Sequence, residues 1–308
     1  MDTHELDAAI RVAEARIIGP RRAMRLLERL GSFKAAVEAS TLGLASQLGC
    51  SQARAAQIQR EFSKTPAARL RQRAERSGSK CLSVSLRTYP RLLREICDPP
   101  IVLWCRGDIS LFSQPVVGVV GARRCSADAG PVIEKFVRGF AEKGFLIASG
   151  GARGVDAFAH RAAISAGIPT IAILGSGFDH PYPPEHECLF NEIVEAGGLL
   201  VSEYTADVAP RPAHFPSRNR IVAGLCIAVL VHEAGARSGA LITARLAAED
   251  YGRDVMVVPG SVLDGRSLGS HRAVREGWAM LVDTPEDAVE RLFDSHGLLM
   301  SLRGEDGS

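Results

Sequence analysis

The chain has 308 residues, a net charge of +2 and 46% hydrophobic residues. This is enough for one large folded unit plus a small one and for a sizeable core, and no apolar run approaches the ~20 residues of a membrane span. Seven cysteines (Cys50, Cys81, Cys97, Cys105, Cys125, Cys188 and Cys226) are odd in number and never spaced CxxC, which argues for reduced packing thiols over a disulfide framework or a zinc site.

Acids in MDTHELDAAIRVAEAR and the lack of an apolar signal core there point to a cytoplasmic protein with no membrane partner. Residues 1–80 carry 15 Lys and Arg against 8 Asp and Glu, a balance of +7, while the remainder carries 22 against 27, a balance of −5. This segregation suits either a polyanion partner for the first part or a solvated arginine-rich helix.

In residues 1–64 the segments LDAAIRVAEARI, RRAMRLLERLG, FKAAVEAS and SQARAAQIQREF repeat with helical apolar spacing, divided by Gly, Pro, Ser or Thr. A small bundle of the helix-hairpin-helix kind is expected, a shape that serves DNA contact or protein contact. Residues 65–81 read as a polar helix or linker. Pro99-Pro100 followed by IVLWCRG reads as an edge strand leading into a larger unit.

From Pro115 onward the rhythm is strand, glycine turn, helix. Strands are expected at 116–120, 145–148, 170–174, 199–202, 228–232, 255–258 and 279–282. Helices are expected at 132–143, 157–166, 187–196 and 240–251, with another from Pro216 and a last one from Pro285. Short buried strands alternating with helices imply a doubly wound, mostly parallel α/β sheet covered on both faces. In such a sheet ligands sit beyond the carboxyl ends of the strands. The turns GAR, SGGARG, GSG, ARSG and PGS all fall there, where free backbone N–H groups suit phosphate. No GxxxxGK[ST] loop occurs, and GARRCSADAG lacks the GxGxxG spacing of dinucleotide sites.

FPSRNRIVAGL, residues 215–225, reads as a helix start with Pro216 at the first position. Arg218 and Arg220 then lie in or near the first turn, where the helix already carries partial positive charge. An anion arriving there would account for them. The alternative is a structural role, with Arg218 or Arg220 paired to Glu203 or Glu233, Phe215 as plain core and Asp156 as a helix N-cap. The histidines show no metal-ligand spacing.

VVGARRCS, SGGARGVDAFAH, GFDHPYPPEH, LLVSEY, HFPSRNRIVAGL, EAGARSGALITARLA and GRDVMVVPGSVLDGRSLGSH, in that order, resemble the DprA (Smf) family of DNA-processing proteins over about residues 82–292. The resemblance implies an extended Rossmann-like core, residues 82–295, after a helical (SAM-like) domain at 1–64 and a linker at 65–81. It further implies a homodimer that binds and protects single-stranded DNA and loads the RecA recombinase in natural transformation, with no catalytic residues, cofactor or metal. Residues 296–308 are expected to be a disordered tail, too short for the winged helix of many members.

The implied nucleic-acid site comprises Gly121, Arg123 and Ser126 after the first glycine turn, and Gly151 and Arg153 in the second. Arg211, Phe215, Arg218, Asn219 and Arg220 come from the arginine-rich stretch, and Ser238 and Gly239 form the rim. The competing reading is a nucleotide-binding or nucleotide-processing enzyme on the same fold, such as a phosphoribohydrolase. The segment EAGARSGALITA lacks the catalytic glutamate of those enzymes' PGGxGTxxE motif.

Overall fold

The computed structural model describes residues 3–301. Six helices come first: α1 (Thr3–Ala15), α2 (Pro20–Leu30), α3 (Phe33–Glu38), α4 (Thr41–Leu48), α5 (Gln52–Lys64) and α6 (Ala67–Arg76). Ser32, Ser40 and Ser51 cap α3, α4 and α5 by accepting from the backbone N–H three residues on, at 3.0, 3.1 and 3.3 Å. The Glu5 carboxylate adds a second cap to α3, accepting from Phe33 and Lys34 N–H at 2.9 Å each. Helix α4 was not among the expected pieces, because its Thr41, Gly43 and Ser46 read as separators.

The expected linker is structured. Helix α6 turns Ala67 and Ala74 into the core and ties to α1 through Arg71 Nε and Asp7 Oδ1 at 2.8 Å. Then β1 (Ser79–Ser83) begins, followed by α7 (Arg91–Arg94) and β2 (Val102–Gly107). Strand β2 is therefore not an edge. It pairs antiparallel with β1 on one side and with β6 (Leu199–Ser202) on the other.

The remaining elements follow the expected alternation. They are β3 (Val116–Gly121), α8 (Ala129–Glu142), β4 (Leu146–Ser149), α9 (Val155–Ser165), β5 (Thr170–Leu174), α10 (Glu187–Glu195) and β6. Next come α11 (His214–Leu225), β7 (Ala228–His232), α12 (Gly239–Arg245), β8 (Asp254–Val257), α13 (Leu268–Arg275), β9 (Met280–Leu281) and α14 (Pro285–Ser301). A π-helical turn, Leu246–Asp250, continues α12. Helix α14 runs through the first six residues of the expected tail, where Leu298, Leu299 and Met300 are good helix formers. Residues 302–308 of that tail lie outside the described residues.

The nine strands among the described residues form one sheet in the order β1-β2-β6-β5-β4-β3-β7-β8-β9, parallel from β6 to β9. Alternating side chains of β3 feed the two faces. Val117 and Val119 join α8, α9 and α14 in one buried cluster, which includes Phe140 edge-on to Phe145 at 6.3 Å. Val116 and Val120 join the other cluster, which runs without a break through α11 and α12 to the N-terminal helices. The chain leaves β3 for β4 on one side and returns to β7 on the other, so the sheet's switch point lies between the ends of β3 and β7.

Candidate nucleic-acid interface

A pocket of about 760 Å³ occupies that switch point. Its floor is built from backbone that no side chain can share. Gly121 ends β3 in register with His232 of β7, and a Cβ there would run into the His232 carbonyl. Gly154 N-caps α9 in a left-handed backbone, φ 73°, with a Cβ position that collides with the Ala122 and Arg123 carbonyls. Gly154→Ala is therefore expected to cost about 2 kcal/mol or more of stability, from left-handed strain plus a backbone clash. A denaturant midpoint unchanged from wild type would show that the turn relaxes freely.

Asp156 is not the N-cap. It is buried at the second residue of α9 and accepts N–H bonds from Gly150 and Ala152, both at 3.2 Å. It thereby holds the second glycine turn. Burial pushes its carboxyl above the usual range, partly offset by the Arg218 guanidinium and these N–H donors. Arg218 is itself 5% exposed. Its guanidinium lies over Gly150, where a Cβ would overlap it, and its Nε has no hydrogen-bond partner among the described residues. A buried, incompletely satisfied cation facing a pocket is a place for an acceptor.

Helix α11 begins at His214, two residues earlier than the sequence suggested, so Pro216 falls at the third helical position. Phe215 at its start is half-buried. Its ring lies 5.1 Å from that of Tyr182, and the Arg123 guanidinium stands over it at 5.9 Å. His214 fixes this end of the helix, with Nδ1 3.2 Å from the Gly175 carbonyl and its ring stacked on Tyr204 at 4.1 Å. The pocket wall thus combines an aromatic pair with cations, the combination that takes stacked bases and phosphates.

Among the expected residues, Gly121, Arg123, Phe215, Arg218, Asn219, Ser238 and Gly239 line the pocket together. Ser238 caps α12 by accepting from Leu241 N–H at 3.3 Å, and Asn219 Nδ2 donates to the Gly239 carbonyl at 3.3 Å. Arg153 lines an adjoining recess with Arg123, Phe215 and Arg218 and is ion-paired with Glu185 at the surface. Ser126 is linked indirectly, its N–H donating to Glu233 Oε2 at 2.8 Å.

Three expected residues are not brought to the pocket. Gly151 packs under the Phe190 ring, its carbonyl accepting from His186 Nδ1 at 3.0 Å. Arg211 is exposed on the turn before α11, outside the lining. Arg220 is buried on the far side of α11. There it pairs with Glu203 and the Asp98 carbonyl and lies 3.9 Å from the Asp98 carboxylate. Burial works against its charge, but these acids outweigh it and raise its pKa.

Arg124, Arg266, Tyr182 and Glu233 also line the pocket but were not among the expected site residues, Glu233 having been weighed only as an ion-pair partner. Tyr182 stood in HPYPPE five residues after Gly177 of a glycine turn, and Glu233 directly after a predicted strand. With them the lining carries, among the described residues, four arginines against two carboxylates. Among the described residues, no group of three or more His, Cys, Asp or Glu is placed to hold a metal ion, and no helix is long and apolar enough to cross a membrane.

Fold and pocket together define a doubly wound α/β protein with a cationic, glycine-built pocket at its switch point. Residues 80–293 match the family described as DNA recombination-mediator protein A. The chain is 44% identical over 201 residues to the DNA processing protein DprA of Streptococcus pneumoniae, covering 65% of this chain and 70% of that protein. It is 37% identical over 216 residues to DprA of Bacillus subtilis, covering 70% and 72%. The solved structure of S. pneumoniae DprA superposes with a TM-score of 0.80 at 36% identity, over 91% of this chain and 95% of that one. A Helicobacter pylori DprA structure, described for its single-stranded DNA binding mode, gives 0.63 at 29% identity over 70% and 96%. The chain belongs to the DprA (DNA recombination-mediator protein A) family.

Proposed function

We propose that this chain binds single-stranded DNA in the switch-point pocket, protects it, and passes it to the RecA recombinase during natural transformation. In this reading it acts in the cytoplasm as a homodimer without catalytic turnover. The core from residue 82 to 295 is the DNA-binding unit, and the helices of residues 1–64 are an N-terminal module packed against it. The observation that carries the reading is the Phe215 ring beside Tyr182 and within reach of the Arg123 guanidinium, in a pocket that the buried Arg218 also lines. An aromatic face takes a base of any sequence, and the surrounding guanidiniums take the strand's phosphates. The H. pylori relative, described as binding single-stranded DNA, supports it.

Fluorescence anisotropy of matched single-stranded and duplex oligonucleotides at several salt concentrations tests it. Wild type is expected to prefer the single strand, with affinity falling as salt rises. Each phosphate contact removed lowers the slope of log affinity against log salt by about 0.7, so Arg123→Ala/Arg153→Ala is expected to lower it by about 1.4. Equal binding of both DNA forms, unaltered by the double variant, would move the site away from the pocket. Release of free base from nucleoside monophosphates would favour the enzyme reading instead.

A further inference from the structure

A pocket for a polyanion has no use for a buried acid beside its cations, yet Glu233 is one. Glu233 lines the pocket, is 4% exposed, and has a left-handed backbone with φ 52°. A non-glycine residue rarely adopts that conformation without a constraint. One carboxylate oxygen, Oε2, accepts the Ser126 N–H at 2.8 Å. The other, Oε1, lies 3.8 Å from His232 Nε2, beyond hydrogen-bond distance. Both ring nitrogens of buried His232 lack a hydrogen-bond partner among the described residues, as does Oγ of buried Ser267. Ser267 and Glu233 both flank Gly260. Oε1 of Glu233 therefore has acceptor capacity to spare at the pocket, and a phosphate, itself only an acceptor, gains nothing from a carboxylate.

We propose that Glu233 reads a base edge and makes the pocket prefer guanine at one position. The proposal rests on the single-stranded DNA reading of the site. A carboxylate only accepts hydrogen bonds. Guanine presents N1–H and an N2 amino group side by side on its Watson–Crick edge, two donors matched to two oxygens. Adenine and cytosine present one amino group next to an acceptor. Thymine presents one N–H between two carbonyls, which a carboxylate repels. The same carboxylate turns phosphates away, so the strand's backbone is directed to Arg123 and Arg218 and a base to Glu233.

The test uses the full chain and oligo-dT in which every fourth thymine is replaced by guanine, by inosine (guanine without its N2 amino group) or by cytosine. Wild type is expected to bind the guanine oligomer about ten-fold tighter than oligo-dT, the size of one good bidentate base contact, with inosine in between. Glu233→Gln keeps the volume and an acceptor for Ser126 N–H, but turns one oxygen into a donor. It is expected to bring the guanine-to-thymine ratio close to one. Equal wild-type affinities for guanine and inosine oligomers overturn the proposal even if Glu233→Gln does not fold. A preference that survives Glu233→Gln overturns it too and leaves Glu233 as a tether for the loop at Ser126. Binding without base preference removes only this inference. No binding to any oligonucleotide removes the single-strand reading as well.

Discussion

Arg220→Ala is expected to remove about 3–5 kcal/mol of folding stability, the usual cost of breaking one partner out of a buried ion pair. The Arg220 side chain is 9% exposed and that of Glu203 22%, so solvent does little to replace the lost partner. Truncation leaves Glu203 facing a cavity and frees the Asp98 carbonyl that anchors the loop after α7. Pairing Arg220→Met with Glu203→Leu is expected to recover much of the loss, since the uncompensated charge goes with its partner. Urea midpoints of the single and double variants decide it. A single-variant loss below about 1 kcal/mol would put the pair in the class of screened surface bridges.

Arg218→Met is expected to act on binding and on pH dependence together. Losing a charged donor at the pocket floor should weaken single-stranded DNA binding about 10- to 100-fold, the range for a hydrogen bond to a charged group. The change also removes the cation that offsets the burial of Asp156, so the carboxyl, already raised, rises further. An acid whose folded pKa is raised holds its proton in the native state over the window from the ordinary carboxylate value, about 4, up to the folded value. Stability in that window falls as pH rises. The thermal midpoint gap between variant and wild type should therefore be widest near neutral pH and close as pH falls toward about 4. A gap that widens on acidification would show that Asp156 does not sense Arg218.

Arg218 and Arg220 also show what was legible in the sequence. Residues two apart on a helix point about 200° from each other, so the two could not both face one pocket. That spacing was there to be read, but it did not say which of them turned inward. The strands were legible because β3 to β8 are short, buried, β-branched runs, and the glycine turns were legible because close backbone approach excludes side chains. Tyr182 and Arg266 were not, since loops bring them to the pocket and no periodicity encodes a loop's path, whereas Glu233 stands directly at a strand's carboxyl end. The segment before Ser79 looked like a linker because α6 is exposed on most of its surface and buries little beyond Ala67 and Ala74.

The strand order also fixes a timetable during synthesis. Strands β1 and β2, joined through α7, leave the ribosome close together, while the partner on the far side of β2 is β6, about 90 residues later. At roughly 5–20 residues per second, the Trp104 edge waits on the order of 5–20 s for Leu199–Ser202 to emerge. Through that interval the nascent chain carries an unpaired, apolar strand edge, the kind that recruits other strands. Slowed elongation between residues 107 and 199 would lengthen the exposure, so the yield of folded protein is expected to depend on translation speed across the stretch that supplies Gly121, Arg123, Asp156 and Tyr182 to the pocket.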